Sequence, residues 1–302
     1  MPNEHQPGPK ASPKALEPQL FSCASLVNAV TEHARAAYEA RQSGIPRGPL
    51  TGFKKLDSAI NGALPVGVSV VLGNTGAGKT ALCVQIAATC RFPALFVSTE
   101  MAPEELFRRQ MARVTGQFLG RFSSGEMTPD AVNQAAQRTA EAMPSLVFCD
   151  AARAHATDEF LFDAALAARG DAKSVLIIVD SLHTWARMAP ARLPEYEAIG
   201  AAMVSLQGLA ARLRCPVIAI GEQSRAALKD GGGVASVNSG AGNRFIEYGA
   251  EVLFDLQATK TEDGAGEKSV KVQLSKNRHG AVGTTVDLSF NGALQRFTEA
   301  SK

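Results

Sequence analysis

The octapeptide Gly73-Asn74-Thr75-Gly76-Ala77-Gly78-Lys79-Thr80 has the residue types and spacing of a phosphate cradle, G-x-x-x-x-G-K-[ST]. Glycines let the backbone bend tightly enough for successive N–H groups to point at phosphate oxygens. Lys79 offers a compact positive charge to the β- and γ-phosphates of a nucleotide, and the Thr80 hydroxyl offers a ligand to Mg²⁺. A helix that begins at the motif and runs on through Ala81 would aim the positive end of its dipole at the same anion. The flanks agree with this, since residues 66–72 read as a strand leading in and residues 81–88 as a helix leading out. The pattern implies a nucleoside triphosphate.

A phosphate cradle needs a metal partner and a group that activates water. Asp180 follows the unbroken apolar run Val175-Leu176-Ile177-Ile178-Val179, where a carboxylate at the strand tip could hold Mg²⁺ or simply cap the strand. Glu100 follows residues 94–98 in the same way and faces the crevice where ligands of parallel sheets bind. It could polarise an attacking water, or serve only as an acid near a helix start. Lys276 and Arg278 sit in Ser275-Lys276-Asn277-Arg278-His279-Gly280, at the tip of an expected hairpin. Two cations at a turn are either solvated or reach a neighbouring subunit's nucleotide as arginine fingers do.

These residues need a frame to hold them. With 302 residues the chain can build one large α/β domain or two small ones, and its net charge of +2 sets up no global basic field for nucleic acid. The five cysteines form no C-x-x-C pair, and the five histidines do not join them at metal-ligand spacing, which argues against a zinc module or a disulfide framework. No apolar run approaches a membrane span and no signal-peptide core is visible, so the expectation is a soluble cytoplasmic protein with no membrane partner. Residues 1–20, rich in proline and polar groups, read as a disordered tail. A linker helix occupies 21–44, with Leu26, Val27, Val30, Ala34, Ala37 and Tyr38 at helical spacing. It either folds back on its own core or docks on a neighbour. From 45 to 302 strands and helices alternate, predicting a mostly parallel sheet with helices on both faces. Strands are expected at 94–98, 146–148, 175–179, 216–220 and 251–256. Helices are expected from Pro103, after Thr128-Pro129-Asp130, and within 195–214. Residues 270–274 and 285–290 complete an antiparallel hairpin. No repeat and no second hydrophobic core is evident.

The ordered set Thr51-Gly52-Phe53-Lys54-Lys55-Leu56-Asp57, the phosphate loop, Phe96-Val97-Ser98-Thr99-Glu100-Met101, the strand ending at Asp180, Ala219-Ile220-Gly221-Glu222-Gln223-Ser224-Arg225 and Lys276-Asn277-Arg278-His279-Gly280 resembles the RecA-like motor domain of DnaB-type replicative helicases. The resemblance runs over about residues 22–297. It implies a RecA-like P-loop NTPase fold, ATP and Mg²⁺, and a hexameric ring with its sites between subunits. It further implies Glu100 as catalytic base, Lys276 and Arg278 acting in trans, and the linker helix docked on the adjacent protomer. Single-stranded DNA would then be gripped by a loop after Asp180 holding Arg187 and Arg192, and by a glycine-rich loop from Arg225 to Arg244 with Lys229 inside it; either is otherwise an ordinary surface loop. The sequence departs from the family at Glu222, where glutamine is usual, and at His183, where a polar amide is common. The expected amino-terminal primase-interacting domain is also missing, which suggests a stand-alone motor working with replication or mobile-element proteins. Other readings are a RadA-type recombination ATPase, whose zinc module and protease-like tail are lacking, and a nucleotide-switched assembly protein that unwinds nothing.

Overall fold

The computed structural model describes residues 19–222, 241–259 and 267–300. Contacts divide the chain into two units at Ile45/Pro46. The first contains helix α1 (Cys23–Ser43), which starts where the Ser22 hydroxyl accepts from Ser25 N at 3.2 Å. It ends at Gly44, whose φ of 69° gives the left-handed cap that only glycine adopts without strain. Leu26, Val27, Val30 and Tyr38 are all exposed along it. Residues 1–18 of the expected tail lie outside the described residues.

The second unit is built on a nine-stranded sheet. In chain order its elements are α2 (Lys54–Ala59), β1 (Gly67–Gly73), α3 (Lys79–Thr89), β2 (Ala94–Ser98), α4 (Pro103–Thr115), α5 (Pro129–Ala142), β3 (Leu146–Asp150), α6 (Asp158–Arg169) and β4 (Leu176–Asp180). They continue with α7 (Leu182–Met188), α8 (Glu195–Leu213), β5 (Pro216–Ile220), α9 (Ala241–Gly249), β6 (Val252–Ala258), β7 (Glu267–Asn277), β8 (Thr285–Asn291) and β9 (Arg296–Glu299). The strand order is β3-β2-β4-β5-β1-β6-β7-β8-β9. β1 to β6 are parallel, and β6 to β9 pair antiparallel. This is the expected α/β class with its carboxy-terminal antiparallel hairpin, extended by one more short strand.

The expectation of a single core is corrected. Two buried clusters form, because successive residues of each central strand face opposite sides of the sheet and both sides are covered by helices. Val71, Phe96, Ile178 and Ile218 pack with α2, α3 and α4 on one side. Val70, Val97, Ile177 and Val217 pack with α6, α7 and α8 on the other. The local signals that start helices hold: Pro103 opens α4 with Glu104 and Glu105 in its first turn, and the Thr128 hydroxyl caps α5 ahead of Pro129. α2, α6, α7, α9 and β9 were not anticipated. Among the described residues no helix is long and apolar enough to cross a membrane.

Candidate functional site

The register of the parallel strands collects the polar residues along one edge. Val71 of β1 pairs with Ile220 of β5, Ile220 with Asp180 of β4, and Asp180 with Ser98 of β2. The carboxyl ends of four adjacent strands therefore carry Gly73, Glu222, Asp180 and Glu100 in a row at steps of about 4.8 Å. Ligands of open α/β sheets bind at this edge.

Asn74, Thr75 and Gly76 are exposed between β1 and α3, while Ala77 and Ala81 are buried beneath them. Gly76 and Gly78 take φ of 79° and 92°, so the loop uses glycine where side chains would be strained. Gly78 has a second constraint, since a Cβ there would lie 2.9 Å from Phe297 Cζ. Phe297 stacks on Phe290 at 4.3 Å, which buttresses the cradle from β8 and β9. Gln85 of α3 clamps the same strand: its Nε2 donates to Phe297 O at 2.9 Å and its Oε1 accepts from Phe297 N at 2.8 Å. This clamp escaped the sequence reading; its only signal was a buried amide on an apolar helix, 212 positions from its partner.

Lys79 donates from Nζ to Gly73 O at 2.8 Å and Asn74 O at 3.1 Å, so the ammonium sits inside the loop. Burial pulls its pKa below the ordinary lysine value, while Glu222, Asp180 and Glu100 act to raise it. Asp180 is 5% exposed. Burial pushes its carboxyl up to about 6, Glu100 pushes the same way, and a hydrogen bond from Thr80 with the charges of Lys79 and Arg109 opposes them. A carboxylate and a hydroxyl already in contact suit a hard divalent cation such as Mg²⁺. Lys79, the glycines and the N–H groups opening α3 suit a phosphate chain. The arrangement fits a Mg²⁺–nucleoside triphosphate.

Glu100 lies beyond β2, exposed, and is held by the next crossover. Its Oε1 accepts from Ser181 Oγ at 2.6 Å and from Thr184 Oγ1 at 2.8 Å. Arg187 Nη2 donates in turn to Thr184 Oγ1 at 3.2 Å. This corrects the expectation of a loop after Asp180: Arg187 lies on α7, whose N-cap is the Ser181 side chain, and only Arg192 occupies the segment between α7 and α8. Seven residues span two turns, too few for a periodic signal to show. The two departures meet nearby. Burial lowers the His183 pKa against the opposing charge of Glu222, and His183 Nδ1 finds no partner among the described residues.

Lys276 and Arg278 are elsewhere. Lys276 pairs with Leu253 of β6, and Arg278 N donates to Glu251 O, level with Val68 near the start of β1. Arg278 thus lies roughly 16 Å from Gly73 along the strand direction, at ~3.3 Å per residue, and two strands across. Its Nη2 donates to Tyr248 O at 2.8 Å, and its Nη1 pairs with Glu251 Oε1 at 3.2 Å. His279 Nε2 lies 2.9 Å from the other oxygen of Glu251. Lys276 Nζ donates to the carbonyls of Glu247 and, at 3.2 Å, Tyr248. Both cations cap the last turn of α9, where carbonyls lack intrahelical partners. Burial and Arg278 lower the Lys276 pKa against Glu251 and Glu247. The expected loop from Arg225 to Arg244 is corrected at its end, where Arg244 is exposed on helix α9; Arg225 and Lys229 lie outside the described residues.

The chain has relatives among known proteins. The chain is similar to the replicative DNA helicase DnaB of Treponema pallidum (strain Nichols), 26% identical over 257 residues that cover 83% of this chain and 56% of the relative. It is also 23% identical over 290 residues to a probable plasmid replicative DNA helicase of Chlamydia muridarum (strain MoPn / Nigg), covering 94% and 62%. The chain thus spans little more than half the length of these relatives. Among solved structures, a DnaB-like replicative helicase superposes with a TM-score of 0.74 at 18% identity, over 94% of this chain and 68% of that one. The RadB recombinase gives 0.53 at 19% identity, over 83% and 99%. These two likenesses establish the RecA-like fold. A family model for the DnaB-like helicase C terminal domain matches residues 48–299, from the linker before Thr51 to the strand that holds Phe297. The chain belongs to the DnaB-like helicase C-terminal domain family.

Proposed function

We propose that the chain is the ATP-hydrolysing motor of a ring helicase that moves along single-stranded DNA. The observation that carries this reading is the separation of the cradle from the finger cations. Lys79, Thr80, Asp180 and Glu100 share one edge of the sheet, while Lys276 and Arg278 lie towards the opposite edge, beyond reach of their own cradle. A nucleotide touched by both sets must lie between two protomers, as in a hexameric ring. Residues 45–302 form the motor, and α1, with its exposed apolar residues, is the linker that docks on the adjacent protomer.

Residues 73–81 hold the phosphates. Thr80 and Asp180 would hold Mg²⁺, which would supply charge neutralisation to the phosphates when bound. Glu100 orients water and takes its proton as the water oxygen attacks the γ-phosphorus and the bond to the β-phosphate oxygen breaks. Lys276 and Arg278 of the neighbour stabilise the charge that develops on the transferring group. Arg187, Arg192, Arg225, Lys229 and Arg244 grip the strand through its phosphates, a contact indifferent to base sequence. The protein would act in the cytoplasm with replication or mobile-element proteins.

Steady-state ATP hydrolysis with and without single-stranded DNA tests this; strong stimulation by DNA is expected. One observation favours a second reading, a nucleotide-switched ring that unwinds nothing. The Glu222 carboxylate lies close enough to Lys79 to act on its charge, and there it would repel a γ-phosphate. Hydrolysis indifferent to DNA, together with failure to separate strands, would select that reading.

A further inference from the structure

We propose that Thr184 is a positioning residue which couples DNA contact at Arg187 to the Glu100 carboxylate. The proposal rests on the reading of Glu100 as base and Arg187 as a strand-gripping cation. Four polar side chains form one connected path. Arg187 Nη2 donates to Thr184 Oγ1 at 3.2 Å, Thr184 donates to Glu100 Oε1 at 2.8 Å, and Ser181 donates to the same oxygen at 2.6 Å. Thr184 and Ser181 are further linked to each other at 3.2 Å. Three of the four lie on α7 or at its cap, and the fourth lies across the sheet edge beyond β2.

The chemistry follows from what a hydroxyl can do. A threonine oxygen that accepts from a guanidinium has its own proton left for a different acceptor. Arg187 therefore orients the Thr184 proton towards Glu100, and donation into one end of such a chain strengthens the bond at the other. Glu100 held in this way has both donors on Oε1, which fixes the orientation of the carboxylate; losing one of them lets it turn towards the water. Arg187 is exposed, so its guanidinium can meet a phosphate. A guanidinium–phosphate pair carries charge on both partners and can be bidentate, so it outcompetes the single bond to the Thr184 hydroxyl and draws Arg187 away from it. The Thr184 hydroxyl is then no longer oriented by Arg187, and Glu100, left with Ser181 as its fixed donor, can turn towards the water. DNA at α7 and hydrolysis at the cradle are thereby linked through one side chain.

The test is ATP turnover with and without a saturating oligothymidylate, measured on the full chain. Thr184→Val keeps the shape and removes the hydroxyl. The expected result is DNA-free turnover raised by up to about ten- to a hundredfold, the range of one hydrogen bond to a charged group, with the stimulation ratio falling towards one. Thr184→Ser, which keeps the hydroxyl, should restore the wild-type ratio. An unchanged ratio in Thr184→Val overturns the proposal. So does an equal fall in both rates, which would mean that Thr184 only holds Glu100 in its working position. Arg187→Ala should lose most stimulation even at saturating DNA; full stimulation there also overturns it. Failure of the underlying reading looks different: the wild type would show no response to DNA, or Glu100→Gln would still hydrolyse ATP.

Discussion

The two edges of the sheet make opposite use of their charged groups. At the cradle edge, Lys79 is surrounded by three carboxylates at the ends of β2, β4 and β5, all within its own chain. At the other edge, Arg278 and Lys276 are held by backbone carbonyls of α9 and by Glu251, in bonds that solvent reaches readily. Arg278 is 50% exposed, whereas Asp180 is 5% exposed. Burial gives Lys79 and Asp180 their unusual electrostatics, while exposure leaves Arg278 free to change partners. On the proposed reading, the cradle would bind nucleotide with the residues of one protomer, and the hairpin that carries Lys276 and Arg278 would take part in hydrolysis only where a second protomer meets it.

This contrast predicts different failures at the two edges. Removing a finger should stop chemistry and spare binding: Arg278→Ala is expected to lower turnover by about 10³-fold, the scale of an arginine finger, with nucleotide affinity unchanged within a fewfold. Normal turnover in this variant would show that Arg278 is not a finger. Lys79→Ala should instead weaken nucleotide binding by about a hundredfold, since each charged hydrogen bond to phosphate contributes ~1.5–3 kcal/mol; titration with a fluorescent ATP analogue measures it.

Asp180 sharpens the comparison through pH. Its folded pKa of about 6 lies above the ordinary aspartate value of 3.8, so the folded state binds the proton more tightly than the unfolded chain. Its contribution to stability is thus present at low pH and is lost as pH rises from about 4 to 6. Asp180→Asn should then be more stable than the wild type at pH 7 by about 2–3 kcal/mol, with the gap closing near pH 4. Denaturant unfolding at both pH values checks this, and a variant less stable at pH 7 would contradict the desolvation argument. Mg²⁺-dependent hydrolysis should disappear in the same variant.

Gln85→Leu should cost about 2 kcal/mol by leaving both backbone groups of Phe297 without their side-chain partner. It should loosen the cradle, raising the concentration of nucleotide needed for half-saturation. At the opposite edge, Glu251→Gln should change stability by less than ~1 kcal/mol, as expected of a solvent-exposed ion pair. A large effect there would mean that α9 and the hairpin are locked together, contrary to the freedom inferred from their exposure.

The amino-acid sequence by itself determined the local chemistry. The glycines at 76 and 78, the lysine and threonine behind them, and an apolar run ended by Asp180 are all written within a few consecutive residues. Backbone geometry and strand covering act over the same short range, so the motifs and most of the α/β alternation could be read directly. Helix α7 could not, because seven residues carry too little periodicity. The contacts that organise the site also could not: Ser181 and Thr184 meet Glu100 from 81 and 84 positions away, and Gln85 meets Phe297 from 212. Such pairs depend on strand order and register, which put β4 beside β2 and lay β9 against α3. Only the tertiary structure decided that Arg278 lies far from its own cradle. The reason is that β6 and β7 run antiparallel, which returns the chain to the sheet edge from which β1 starts.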